Sequence, residues 1–470
     1  MKFLRYNRKY LKHLLASLAL FSVLGMMLAM RPTPTAMERV MSRGELVVIT
    51  RPSSTTYYQD QHGFTGMEYE LARGFADSLG VKLRVLESDD LAYVRYAVRK
   101  GTADLAAAGL VATPESSESL RFTTPYQTVR TLVVHRRNSP SVSDMRDLED
   151  RNLAVAAGTS HAELLLKAQL QDPAIKYQEV EDATPEQLLA LVENGKLDYT
   201  LINSNSYTLQ RPLYPDLKAD YVVAAKQPLA WAFSQKDDQS LYLAAQRYLT
   251  QAKADGTIAK LEDRFYGHVE QFNPYAARSF MRHLDDRLPR YEATFRQAEG
   301  DTGFDWRLLA AVAYQESLWD PRAISPTGVE GLMMLTNDTA REMGISDRTD
   351  PTQSITAGAA YLRSIHDRIP ERIAEPSRTW MTLAAYNVGM GHLEDARVLT
   401  ERQGGNPDNW QDVKQRLPML ANSAYAGQLR YGPARGGQAV VYVRHIRRYY
   451  DLLVWAENSR RKSDTLLALN

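Results

Sequence analysis

Glu316 is the residue whose placement best suits chemistry. It stands near the end of Asp305-Trp306-Arg307-Leu308-Leu309-Ala310-Ala311-Val312-Ala313-Tyr314-Gln315-Glu316-Ser317. Asp305 is a helix N-cap type, and Leu308, Leu309, Val312 and Ala313 recur at helical spacing and mark a buried face. Glu316 follows Val312 by four residues and Ala313 by three, so it extends that face. A carboxylate withdrawn from water favours its neutral form, and its pKa rises. That is the state a general acid needs near neutral pH. By itself the signal is weak, because most glutamates on helices are solvated.

Three later segments add weight. They are Gly331-Leu332-Met333-Met334-Leu335-Thr336, after the turn-rich Ser325-Pro326-Thr327-Gly328; then Ala384-Ala385-Tyr386-Asn387-Val388-Gly389; then Tyr442-Val443-Arg444-His445-Ile446. Most glycoside hydrolases use two carboxylates. Here Glu316 is the one strong candidate, since Asp320 sits in Asp320-Pro321-Arg322 and is better read as bracing that turn. Glu-Ser, Gly-Leu-Met, Ala-Tyr-Asn and a late Tyr, in this order, resemble the motifs of lytic transglycosylases with a goose-type-lysozyme-like domain. The resemblance covers about residues 290–455.

The resemblance implies a mainly α domain and a reaction served by one carboxylate. Glu316 would protonate the oxygen between N-acetylmuramic acid and N-acetylglucosamine. It would then take a proton from the muramyl C6 hydroxyl as that oxygen closes on C1, leaving a 1,6-anhydro end. An internal nucleophile stands in for the second carboxylate. Ser317 would orient Glu316 or its loop, or cap the helix end. Gly331 would let sugar approach the backbone, with Met333 and Met334 lining the cleft. Asn387 would bond the N-acetyl group and Tyr386 the acid. Tyr442 would stack on sugar or hydrogen-bond Glu316, though a core aromatic needs no function. No cofactor or metal is expected: HExxH and closely paired histidines are absent from this half, where His366, His392 and His445 are scattered.

The elements ahead of this domain read differently. Strand-like runs at Glu45–Ile49, Val81–Leu86, Leu105–Leu110, Leu153–Ala156 and Tyr199–Ile202 alternate with helical runs at Tyr69–Leu79, Glu186–Glu193 and Leu241–Ala252. That alternation indicates an α/β domain with a mostly parallel sheet. Gly63–Glu70, Lys100–Gly109, Phe122-Thr123-Thr124-Pro125-Tyr126, Asn194–Asp198 and Asp255–Tyr266 resemble the periplasmic amino-acid-binding proteins, whose fold is two lobes about a cleft. That family places an Arg where this chain has Ser116, and an Asp where it has Asn203; Arg121 and Glu118 lie nearby out of register. With both charged clamps absent from register, free amino acids are expected to bind weakly. The half is then a docking relic or a receptor for a larger cell-wall ligand, such as a muropeptide or stem peptide.

Composition is that of an ordinary globular protein, at 44% hydrophobic and 24% charged, with net charge +1 and no field favouring nucleic acid. No Cys is present, which excludes disulfides, thiol chemistry and a lipobox-type anchor. Lys2, Arg5, Arg8, Lys9 and Lys12 precede an uncharged run from Leu14 to Met30, which reads as an export signal, cleaved or retained as an anchor. The expected organisation is a signal over 1–30, a linker over 31–43, a two-lobed sensor over 44–268 and a helical joint over 269–300. A catalytic domain over 301–455 and a polar tail over 456–470 complete it. In that order the halves resemble the membrane-bound lytic murein transglycosylases of type F, which also carry Met at the Met334 position. The resemblance implies a periplasmic enzyme associated with a membrane, peripheral on the outer membrane or held by an uncleaved inner-membrane anchor, with peptidoglycan strands as partner. Two other readings are a solute-binding receptor held to the wall by an inactive lysozyme-like half, and a water-using muramidase.

Overall fold

The computed structural model describes residues 33–468, apart from 61, 182, 237, 270–273 and 326–327. The expected export signal and Phe272 of the expected joint lie outside the described residues. Among the described residues, no helix is long and apolar enough to cross a membrane.

Among the described residues the first half carries twelve strands: β1 (Glu45–Thr50), β2 (Tyr58–Asp60), β3 (Gly63–Thr65), β4 (Lys82–Glu87), β5 (Leu105–Ala106), β6 (Leu120–Phe122), β7 (Gln127–Arg136), β8 (Leu153–Ala156), β9 (Gln178–Val180), β10 (Tyr199–Asn203), β11 (Leu217–Leu229) and β12 (Ala232–Ser234). They form two five-stranded sheets, ordered β4-β1-β5-β12-β6 and β11-β7-β10-β8-β9, one per lobe. β1 pairs parallel with β4 and β5, and β8 with β9 and β10. β12 pairs antiparallel with β5 and β6 in the first sheet, and β7 with β10 and β11 in the second. The sheets are therefore evenly mixed rather than mostly parallel. The cause is the connectivity: the chain crosses between lobes twice, and β7 and β12, which follow the crossings, enter their sheets against the grain.

The two crossings lie side by side. Thr123 N donates to Trp231 O at 3.0 Å, Trp231 N to Thr123 Oγ1 at 3.1 Å, and Tyr126 N to Leu229 O at 3.1 Å. Trp231 is fully buried against Phe75 and Tyr248. A cleft lies between the lobes.

The segment expected as a linker needs correction. Ala36–Arg43 is a helix, closed by a Thr35/Glu38 capping box and docked by Ala36 N to Asp238 Oδ2 at 2.5 Å and Met37 N to Ser240 Oγ at 2.9 Å. Val40 is fully buried in the sensor core. The Thr-x-x-Glu signal was present in the sequence, though the prolines ahead of it point to a linker. The last helix, Gly436–Ala468, likewise runs through the segment expected as a tail.

The second half is helical. Trp306–Ser317 lies against Gly436–Ala468, surrounded by Glu292–Thr302, Pro351–Arg368 and Ser377–Val388. Pro274–Asp286 belongs to the same core: Phe280 is fully buried, with its ring 4.8 Å from Tyr314, 5.2 Å from Tyr449 and 5.8 Å from Trp319.

Candidate active site

The helix bearing Glu316 begins and ends by rules its sequence carries. Asp305 accepts from Arg307 N at 2.8 Å and so satisfies a free N–H of the first turn. The other end stops abruptly after Ser317, where Leu318 and Trp319 both take positive φ, 54° and 57°. Non-glycine residues rarely hold that conformation unless packing compels them. Trp319 supplies the compulsion: it is buried among Phe280 and Tyr314, and its indole N–H donates to Ala310 O at 2.8 Å. Glu316 is thus held on the final turn.

Three rungs tie this helix to the last one, which runs antiparallel to it. Tyr450 Oη donates to Asp305 Oδ2 at 3.1 Å, Gln315 Oε1 lies 3.1 Å from His445 Nδ1, and Tyr442 Oη donates to Glu316 Oε1 at 2.5 Å. Burial pushes the Glu316 carboxyl up to about 7, against the bond from Tyr442, which favours the charged form. Burial and the charge of Glu316 together raise both the Tyr442 and Tyr386 phenols well above their ordinary value. Both phenols remain neutral donors wherever Glu316 titrates.

The Gly331 loop is pinned beside the acid. Ser317 Oγ lies 2.9 Å from Ala313 O and 3.0 Å from Leu332 O, joining helix end to loop. Ser317 thus bonds both its own helix end and the loop. Gly331 has φ 85°, and a Cβ there would collide with the carbonyl oxygen of Arg348. Met333 N donates to Ser354 Oγ at 3.2 Å, and Tyr386 Oη donates to Met333 O at 2.9 Å. The Met333 side chain is fully buried, closely packed on Gly358. It does not line a cleft, contrary to the reading from sequence; the backbone carbonyl is what this residue presents. Met334 is half-buried with φ 47°, and Asn387 is exposed at the end of its helix. Asp320 accepts from Arg322 N at 3.0 Å within its turn.

The arrangement can supply one proton from a carboxyl poised near neutrality, flanked by two phenols and a strained loop. Trp319, Ser354 and Arg348 support it, and sequence reasoning passed over all three. Their signal was slight: Trp319 closely follows Glu316, while the others lie in unremarkable loop and helix segments.

The lobe cleft is a second polar site. It is lined by Ser116 and Asn203, as the family register implies, but also by Arg51, Arg95, Glu163 and Glu186. Arg51 Nε, His161 Nδ1, Glu163 Oε2 and Glu186 Oε2 are buried without a hydrogen-bond partner among the described residues. Asn203 Oδ1 lies 3.1 Å from His161 Nε2, and burial lowers that imidazole to about 4. Arginines come from one lobe and carboxylates from the other, which suits a ligand carrying both charges.

Comparison with known proteins agrees in both halves. The Transglycosylase SLT domain profile matches residues 293–409, and that of bacterial extracellular solute-binding proteins, family 3, matches residues 46–268. A membrane-bound lytic murein transglycosylase F from Alcanivorax borkumensis is 77% identical over 462 residues, covering 98% of this chain and 99% of that protein. This chain belongs to the membrane-bound lytic murein transglycosylase F family. A second family member, from Ectopseudomonas mendocina, is 45% identical over 428 residues, covering 90% of this chain and 87% of its own. Among solved structures, an ancestral arginine-binding protein bound to arginine matches 48% of this chain and 99% of its own, at 22% identity and a TM-score of 0.43. Tyr442 lies beyond the matched transglycosylase segment, so its place at Glu316 is information from the tertiary structure.

Proposed function

We propose that the protein cleaves the MurNAc–GlcNAc bond of peptidoglycan without water, leaving 1,6-anhydro-muramyl ends, with Glu316 as the acid and then the base. Membership of the transglycosylase F family supports the activity and the membrane-associated setting. The observation that carries the assignment of the acid is the bond from Tyr442 to Glu316 at 2.5 Å, on a carboxyl that burial raises to about 7. Tyr386 steadies the Gly331 loop through Met333 O, and Asn387, exposed at its helix end, bonds the substrate's N-acetyl group. Gly331 and Met334 form the near edge of the groove. The domain order is a leader, a sensor that includes Ala36–Arg43, and a catalytic half that includes Pro274–Asp286. The chain is exported by its basic, apolar leader and sits on the periplasmic side of a membrane, peripheral on the outer one.

The sensor cleft takes a muropeptide or stem peptide, whose carboxylates and ammonium match Arg51, Arg95, Glu163 and Glu186. Mass spectrometry of digested sacculi tests the activity. Anhydro ends are expected. Reducing ends would make the protein a muramidase, and no release would leave the receptor reading.

A further inference from the structure

The seam between the sensor and the catalytic half forms an open cleft of about 560 Å3, within the range of small-ligand sites. Four helices meet there: Thr257–Phe265 of the sensor, Ser377–Val388, Trp410–Arg416, and the last helix. Its carboxylates are already engaged. Glu375 lies 3.1 Å from His366 and accepts from Thr379 N at 3.0 Å; Asp408 pairs with Arg372 at 2.8 Å and Arg397 at 2.7 Å. Arg264 is held by Glu70 at 3.3 Å.

Two cations are left over. Lys260 is exposed, and Arg447 is 8% exposed; among the described residues neither has a carboxylate within ion-pair reach. The Arg447 guanidinium lies 5.0 Å from the Trp380 ring centre and donates to Arg264 O at 2.5 Å. A buried guanidinium without a counter-charge is costly, and a bound anion relieves that cost. The nearest acids to influence it, Asp451 and Asp263, pair instead with His268 at 2.5 Å and Lys414 at 2.7 Å. The lining also includes the side-chain amides of Asn406, Asn409 and Gln411. The Asn406 and Asn409 oxygens already accept from Asp408 N and Gln411 N, which leaves their amide N–H groups to donate to sugar hydroxyl and acetamido oxygens, while the Gln411 amide can both donate and accept.

We propose that this seam is a second binding site, for a saccharide bearing a carboxylate, with Arg447 and Lys260 on the carboxylate and the amides on the ring substituents. Resting on the function proposed above, the ligand is a muramic-acid unit of the enzyme's own polymer. Two of the four helices, Ser377–Val388 and the last one, also carry active-site residues. Trp380 precedes Tyr386 by six residues and Arg447 follows Tyr442 by five, so the seam lies roughly 8–9 Å along each helix from those tyrosines. A strand fragment held here would bridge the sensor to the helices that shape the groove.

The test uses the full chain, and both probes are monosaccharides, which offer the enzyme no glycosidic bond to cleave. N-acetylmuramic acid should slow amide exchange in residues 257–265 and 406–411. N-acetylglucosamine, which lacks the lactyl carboxylate, should not. Lys260→Gln, a surface change, should weaken calorimetric binding of N-acetylmuramic acid three- to tenfold. The proposal is overturned by absence of protection in those segments, by equal protection from the two sugars, or by unaltered binding in Lys260→Gln. A wild-type chain that releases anhydro ends yet shows no such protection would sink the seam site and leave the function standing. A chain that releases none would overturn the function instead.

Discussion

Glu316 concentrates the chemistry because two opposed forces act on one carboxyl. Burial raises its pKa to about 7, and the Tyr442 hydroxyl pulls it back. As an acid it must be protonated, so turnover should fall as pH rises through about 7. Tyr442→Phe removes the bond favouring the charged form, so that alkaline limb should move to higher pH; a limb that stays or moves down refutes the arrangement. Glu316→Gln keeps the shape but has no proton to give, and release of anhydro ends should drop on the order of a hundredfold or more. The same change should stabilise the fold at high pH. A carboxyl whose folded pKa exceeds its unfolded value holds its proton more tightly when folded, so its contribution declines as pH climbs from about 4.5 to about 7. Glu316→Gln should therefore gain up to about 3 kcal/mol over wild type at pH 8 and little at pH 4, read from denaturant unfolding.

At the scale of elements, the site depends on a helix end and a loop locked together. Ser317 bonds the loop at Leu332 O, and Gly331 passes against the Arg348 carbonyl. Gly331→Ala meets both an unfavourable φ and a collision, so it should cost about 2 kcal/mol or more and abolish turnover before it unfolds the chain. Ser317→Ala leaves its partners with less bonding and should cost about 1 kcal/mol. Phe280 decides where the catalytic body begins. Buried among Tyr314, Trp319 and Tyr449, it should cost about 3–5 kcal/mol on truncation to Ala, and the Tm of the full chain would show it. A fragment starting at Tyr291 would lack Phe280, so any catalytic fragment has to begin ahead of Pro274.

In the whole molecule, the sensor ends on the helix that delivers Tyr442. Arg448 donates to His268 O at 3.0 and 2.7 Å, and His268 Nε2 lies 2.5 Å from Asp451 Oδ2. A ligand that binds the open and closed lobes differently can shift this contact, and only by its difference in affinity. A stem peptide should therefore change the turnover of the full chain, and Glu186→Gln should abolish that response while leaving basal turnover unchanged. If the response survives Glu186→Gln, the cleft is not where the peptide acts.

Much of this was legible without coordinates. The Asp305 cap, the helix to Ser317 and the acid on its buried face follow from local periodicity, which depends on neighbours three and four residues apart. The strand at Leu153–Ala156 was likewise written in a short apolar run between turns, whereas the two-lobed architecture came with the resemblance of the motifs. Local pattern is silent on who meets whom across the chain. It put Met333 in the groove, whereas packing on Gly358 buries that side chain and presents its carbonyl to Tyr386. It found no charged clamp in the sensor, because Arg51, Glu163 and Glu186 converge only when two lobes close on a cleft. It left Tyr442 with three possible roles; the antiparallel packing of the last helix on the acid helix chose the hydrogen bond. Chemistry along one helix is a matter of spacing, and chemistry between helices is decided by which faces the core brings together.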